Sequence, residues 1–216
     1  MTPPAPQHTR DRHRAKRLAL SDPEEALRLA RDIEDHWFRC QALAFVGYRC
    51  ESAAMRATAI TESFQAGWEI GPPSRVVVAS AWPLKVLCKK DGSEDLTDEV
   101  ARLLGISDTE RSPVRRADAL DFMLGALITA PRELFWQAYE RFEQACAAPL
   151  HGAKRNVRGE TLLVQWLPVL HCFDSARAEA ALVAIHGPVL AARARDTLVQ
   201  NPDVNPEAWI RHPNLD

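Results

Sequence analysis

The stretch Pro23–Gly47, PEEALRLARDIEDHWFRCQALAFVG, constrains the fold more than any other part of the sequence. Asp22 is placed to N-cap a helix, and Pro23 falls at the first helical position, where a missing N–H costs nothing. Glu24 and Glu25 follow in the first turn, where the helix dipole favours negative charge. Ala26, Leu27, Leu29, Ala30 and Ile33 then recur at helical spacing. After Glu34-Asp35-His36 a second helix is predicted, with Trp37, Ala42, Leu43, Phe45 and Val46 turned inward. Neither helix is long enough to bury its apolar stripe alone, so the unit is built to stack on others like it.

At 216 residues the chain is long enough for one sizeable core or a short array of such units. A net charge of −2 argues against a protein that coats nucleic acid, while leaving room for a local basic patch. The five cysteines, Cys40, Cys50, Cys88, Cys146 and Cys172, are odd in number, widely spaced and set in apolar helical stretches. They read as reduced, buried residues rather than a disulfide or metal framework. The opening MTPPAPQHTRDRHRAKRLAL lacks the apolar segment of a secretory signal, and no apolar run approaches the ~18 residues of a membrane span. The expectation is a soluble cytoplasmic protein with no membrane contact.

Punctuation by proline and glycine divides the rest. Residues 1–20 are predicted as a basic, Pro-rich segment, partly disordered, whose Arg10, Arg12, Arg14, Lys16 and Arg17 read as an interaction arm or a solvated terminus. Residues 21–200 are predicted as about five helical hairpins. Ser74 is placed as the cap of a helix through Pro83, Thr97 as the cap of a short helix ended by Gly105, and Pro131 as the start of an aromatic-rich helix ending near Ala147. A charged loop is placed at 89–95. Residues 201–216 are predicted as a tail with one helical turn after Asn205-Pro206. No segment alternates with period two, so the fold class is all-α.

An internal repeat emerges when each second helix is aligned on an arginine. Arg39, Arg75, Arg116, Arg158 and Arg193 follow one another at intervals of 36, 41, 42 and 35 residues. The residue four positions on is Leu43, Ala79, Leu120, Leu162 and Thr197, small or apolar in most copies. Separately, Trp82 and Cys88 are spaced as Trp166 and Cys172 are, and each pair encloses a proline, Pro83 or Pro168, for which a bend is predicted. With its ALRLARDIEDHWFRCQALAFVG pattern, Pro23–Gly47 resembles the helical-hairpin units of HEAT- and TPR-like α-solenoids of bacteria and archaea. The resemblance implies a short right-handed α-solenoid of about ten helices, a scaffold presenting a binding surface.

The search for chemistry yields little. None of the phosphate-binding, zinc-protease or nucleophile-elbow motifs occurs. His171 and Cys172 are adjacent on one helix and point ~100° apart, which suits no shared metal. His171 or His186 as a general base needs a nucleophile nearby, and Trp68, Trp82 and Trp136 read as core more readily than as stacking platforms. The acidic pairs at 24–25, 98–99 and 108/110 sit at helix starts or turns and answer to the dipole. No cofactor is expected.

The arginines carry the one functional signal. Stacked repeats would align them on one edge, and Arg111, Arg115, Lys154 and Arg155 thicken the charge around Arg75, Arg116 and Arg158. Each guanidinium opposes its helix dipole and therefore needs a partner, either carbonyls and acids such as Asp35 or a bound anion. The first expectation is a non-enzymatic scaffold for a protein or peptide. The second is nucleic-acid binding along the basic edge, with base chemistry as in HEAT-like DNA glycosylases. An enzyme such as a lyase comes third.

Overall fold

In a computed structural model, residues 7–90, 95–150, 154–201, 203–210 and 212–215 are described. They contain twelve helices: α1 (Gln7–Leu18), α2 (Pro23–Arg31), α3 (His36–Arg49), α4 (Ala53–Trp68), α5 (Pro73–Lys90), α6 (Asp95–Asp108), α7 (Pro113–Leu127), α8 (Arg132–Ala147), α9 (Val157–Phe173), α10 (Ser175–Val183), α11 (Pro188–Gln200) and α12 (Pro206–Trp209). Among the described residues the only extended pairing is an isolated bridge between Leu150 and Lys154. The chain is all-α, with packed helix pairs. The tally passes ten because α1 and the single turn α12 are counted. Residues 1–6 and 91–94, expected as disorder and charged loop, lie outside the described residues.

Capping chemistry sets most boundaries. Asp22 accepts from Glu25 N at 3.1 Å, and Asp35 accepts from the backbone N–H groups of Trp37 and Phe38. Ser52, Ser112, Asn156, Asp174 and Asn205 do the same for later helices. Three expected boundaries move. Ser74 lies inside α5, buried, and Thr97 lies inside α6, which runs through Gly105 to Asp108. Gly105 does not stop α6, because Leu103, Leu104 and Ser107 are buried around it and hold the next turn helical.

The helices form two rows. In the first, α3 packs on α5, α5 on α7, α7 on α9 and α9 on α11. In the second, α4 lies against α3 and α5, α6 against α5 and α7, α8 against α7 and α9, and α10 against α9 and α11. Successive helices alternate between rows, so α3, α5, α7 and α9 run in one direction. α1 and α2 close the near end by packing on α3. The buried Ala15 and Ala19 fasten the basic segment to this end, and Lys16 sits 4.5 Å over the Phe45 ring.

Two apolar clusters fill the space between rows. A smaller one, rich in alanine, joins α1–α5 through Ala26, Ala30, Cys40, Leu43 and Ala79. A larger one is centred on Trp166, Phe135, Phe142, Leu120 and Leu124. Both helices that contain proline run unbroken through it. Pro83 leaves the carbonyl of Ala79 without its helical donor, and the Cys40 thiol donates to that oxygen at 3.3 Å. Beside Pro168, the carbonyl of Gln165 accepts from Trp209 Nε1 at 2.8 Å. At Pro83 a tertiary donor thus takes the place of the missing N–H, whereas the carbonyl that Pro168 leaves without its helical donor is that of Val164, one residue before the one Trp209 reaches. The tryptophans of the matched pairs differ in setting: Trp166 is fully buried, while Trp82 is half-buried, edge-on to Phe45 at 5.3 Å.

Candidate functional site: one face of the first helix row

Parallel running of α3, α5 and α7 brings their N-terminal turns together. Between them lies an open cleft of about 430 Å³ lined by Asp35, Trp37, Phe38, Ser74, Arg75, Val78, Arg115, Asp118 and Ala119. Arg75 stacks over the Trp37 ring at 5.4 Å. Trp37, expected to point inward, is half-buried and forms part of this floor. It is displaced from the core because Asp35 caps α3 immediately before it, which fixes the first turn at the surface end of the helix.

Neighbouring acids neutralise many of the arginines that the sequence singles out. Arg158 donates from Nε and Nη2 to Asp118 Oδ1 at 2.8 and 2.7 Å. Arg115 is 3.2 Å from Glu110, Arg155 is 3.2 Å from Glu160, and Arg39 reaches Glu69 at 2.9 Å. Glu110 is 5% exposed. Burial opposes its ionisation, but hydrogen bonds from Ser112 and Ser74 and the charge of Arg115 outweigh that and hold the carboxyl below its ordinary range. It ties the start of α5 to the turn before α7, and so fixes the cleft walls.

The remaining candidate residues fall in different places. Arg116 is half-buried with its Nε unpartnered, and Arg111 is exposed on the turn before α7. Lys154 and Arg155 line a separate pocket of about 370 Å³ with Glu160 and His186, at the loop before α9. Arg193 is exposed on α11. Arg75, Arg115 and Arg158 therefore share one edge, with Asp118 linking the last to the cleft. Asp118, Trp37 and Phe38 were not legible as site residues, because no pattern in the sequence says which apolar positions the second row leaves uncovered.

The same face continues along the row. On α7, Asp118, Phe122 and Gly125 form one stripe at helical spacing, and on α5 so do Val78, Lys85 and Lys89. The first member of each stripe lies at or beside the cleft. The others meet the final described residues, 203–210 and 212–215, whose contacts run from α9 to α7, α5 and α3, with Glu207 also reaching Lys89 on α5. Val204 O accepts from Cys172, the His212 ring stacks on Phe122 at 5.3 Å, Lys85 donates to Pro213 O at 2.6 Å, and Arg49 donates to Leu215 O at 3.5 Å.

Among the described residues no three His, Cys, Asp or Glu side chains converge as a metal site. No described helix is long and apolar enough to cross a membrane. Burial pushes the thiols of Cys40 and Cys88 up to about 12, so neither is a thiolate at neutral pH. Cys172 is exposed. In the native protein at pH 8, iodoacetamide should modify Cys172 first, with Cys40 and Cys146 protected until unfolding. Mass spectrometry of a timed digest reads the order, and early labelling of Cys40 would contradict the packing of α3 on α5.

Compared with known protein families, with curated proteins and with solved structures, the chain matches none of them. Its class is therefore set by its own architecture, an all-α protein of packed helix pairs with one partly covered face.

Proposed function

We propose that the chain is a non-enzymatic scaffold of the HEAT- or TPR-like α-solenoid kind, acting in the cytoplasm, and that its cleft binds a protein or peptide partner. The observation that carries this reading is the mixed character of the cleft. Trp37, Phe38, Val78 and Ala119 supply an apolar floor, and Arg75, Arg115, Asp35 and Asp118 add charge of both signs to its lining. A polypeptide, with its own apolar and oppositely charged groups, matches such a surface. An exposed arginine stacked on a tryptophan is the kind of anchor on which protein interfaces concentrate their affinity.

The nucleic-acid reading is less well supported. A phosphate-gripping row needs unpaired cations, whereas Arg39, Arg115, Arg155 and Arg158 each already face a carboxylate. Arg75, Arg111, Arg116 and Lys154 remain as the residues through which it would act.

Arg75→Ala and Arg158→Ala separate the readings. Both side chains are exposed, so each melting temperature should fall by no more than about 4 °C, matching the ~1 kcal/mol upper range of exposed charge interactions. Proteins retained by the immobilised wild-type chain should be lost with a Trp37→Ala, Arg75→Ala double variant that still folds. Titration with a 20-base-pair duplex and a single-stranded RNA should give only non-specific binding, with a dissociation constant of roughly 10⁻⁴ M at physiological salt. Micromolar binding with a steep salt slope, lost in Arg75→Ala at unchanged stability, would replace the scaffold reading by the nucleic-acid one.

A further inference from the structure

Residues 203–210 and 212–215 meet the first helix row through both backbone and side chains. Apart from the single turn α12, the described residues of the segment form no helix. The Cys172 thiol, the Lys85 ammonium and the Arg49 guanidinium donate to the carbonyl oxygens of Val204, Pro213 and Leu215. Side chains add to this: Glu207 pairs with Lys89 at 3.0 Å, the Trp209 indole donates to Gln165 O, the His212 ring stacks on Phe122, Val204 and Ile210 pack against the core, and Pro213 and Leu215 are buried.

The seat also has a fitted backbone approach. A Cβ on Gly125 would stand 1.9 Å from His212 O and 3.1 Å from His212 C. Glycine at mid-helix is less favourable than alanine, and what it provides here is room for a crossing chain. Donors aimed at carbonyls, a glycine cradle and a few apolar seats are what a peptide segment requires of a surface, whatever most of its sequence.

We propose that this half of the face is a peptide-binding surface for a segment of another protein that makes one helical turn and then runs without regular structure, and that residues 203–210 and 212–215 are its built-in competitor. The incoming segment carries an acidic residue for Lys89, an aromatic residue two positions later, and apolar residues four and six positions beyond that. These are the spacings of Glu207, Trp209, Pro213 and Leu215. Lys85, Lys89 and Arg49 make the surface cationic, which favours the acidic end of such a segment. This goes beyond the cleft, though it rests on the same scaffold reading. A partner spanning both halves would lie along one uninterrupted stripe of α5 and α7.

Because the competitor is tethered, a segment added in trans faces a high effective concentration of it. The test uses the full chain and a fluorescein-labelled synthetic peptide of residues 203–216. A Trp209→Ala, Leu215→Asp double variant loosens the tethered segment, because it loses the indole bond and brings a charge to an apolar seat. It should bind the peptide at least about tenfold more tightly than the wild-type chain does. Adding Gly125→Ala should remove that gain. A peptide that keeps only the four residues at those spacings, with alanine elsewhere, should bind the double variant within about fivefold of the native one, and a scrambled peptide should not bind. Leu215→Ala alone, a milder change, should give the same order with smaller differences. Arg75→Ala should leave all these values unchanged, so failure of the cleft reading and failure of this one are distinguishable. A folded double variant that binds no peptide, or equal binding by all the chains, would overturn the proposal.

Discussion

Trp166→Ala should lower the stability of the chain by about 3–5 kcal/mol, the range for removing a fully buried aromatic ring. The indole has no exposed surface, and its neighbours Phe135 and Phe142 have ring centroids 5.9 and 6.3 Å away. These come from α8, while the Nε1 hydrogen bond of 2.6 Å goes to Asp121 on α7. One residue therefore joins three helices, and collapse around the cavity would require α8 and α7 to move together. For a chain of this size the loss corresponds to a fall of roughly 6–20 °C in melting temperature. Burial already raises the Asp121 carboxyl above its ordinary value, and the indole is the main group opposing that rise. Without the indole the carboxyl rises further, so the folded variant holds a proton that the unfolded chain releases. Stability is then lost as pH climbs from the unfolded value through the folded one, and the deficit should be smaller near about pH 4 than at pH 7. Trp166→Phe, which retains most of the packing and loses the bond, should fall between the two. A melt of Trp166→Ala within 3 °C of wild type would show that α7, α8 and α9 do not meet at this ring.

Gly159→Ala is expected to be nearly as damaging, for the opposite reason. A Cβ there would lie 2.5 Å from Cys146 O and 2.6 Å from Cys146 Cα, both backbone atoms at the end of α8. A flexible side chain could swing aside, but a helix end cannot. α9 must instead move away, straining the Asn156 cap, whose side chain accepts from Gly159 N at 2.9 Å and donates to Ala145 O at 3.2 Å. Overpacking costs about 1–3 kcal/mol where side chains absorb it, and the upper end or more is expected against backbone. The intrinsic preference of a helix for alanine, at most about 1 kcal/mol, is too small to offset this. Gly105→Ala is the control. It is exposed, helical and has no atom from beyond its own stretch of helix backbone within 4 Å of the added methyl, so it should be neutral or stabilising by up to about 1 kcal/mol. Opposite signs for the two glycines, read by denaturant melts with unchanged slope, are the expected result. Equal effects would mean that α8 and α9 are not so closely set.

Helix existence was legible from sequence because it depends on local chemistry. Asp22 before Pro23, Ser112 before Pro113 and Asn205 before Pro206 each state a helix start in three or four residues, and the structure places caps at all three. The stacking of helix pairs was legible too, since stripes such as Ala26, Leu27 and Ala30 have nothing of their own to cover them. Boundaries inside the array were less so. Gly105 looked like a stop and Ser74 like a cap, and each was overruled by burial of neighbours that only the assembled rows provide.

The functional face divides in the same way. The arginine series Arg39, Arg75, Arg116, Arg158 and Arg193 is a sequence fact, but of these only Arg75 and Arg158 reach the cleft edge, where Arg115 rather than the half-buried Arg116 stands between them. Whether a guanidinium there is free or paired depends on Asp118, Glu110 and Glu160, whose distances along the chain carry no sign of the pairing. The covering of the other half by residues 203–210 and 212–215 was invisible for a related reason. Most of the bonds that hold the segment end on backbone carbonyls, and every residue has one. The sequence by itself determined the helices and their need to stack. Only the tertiary structure decided that Arg158 meets Asp118 and which part of the face stays open, because those depend on contacts between residues 40 to 166 positions apart, while the pairs Arg115–Glu110 and Arg155–Glu160 depend on how short turns fold at the helix starts.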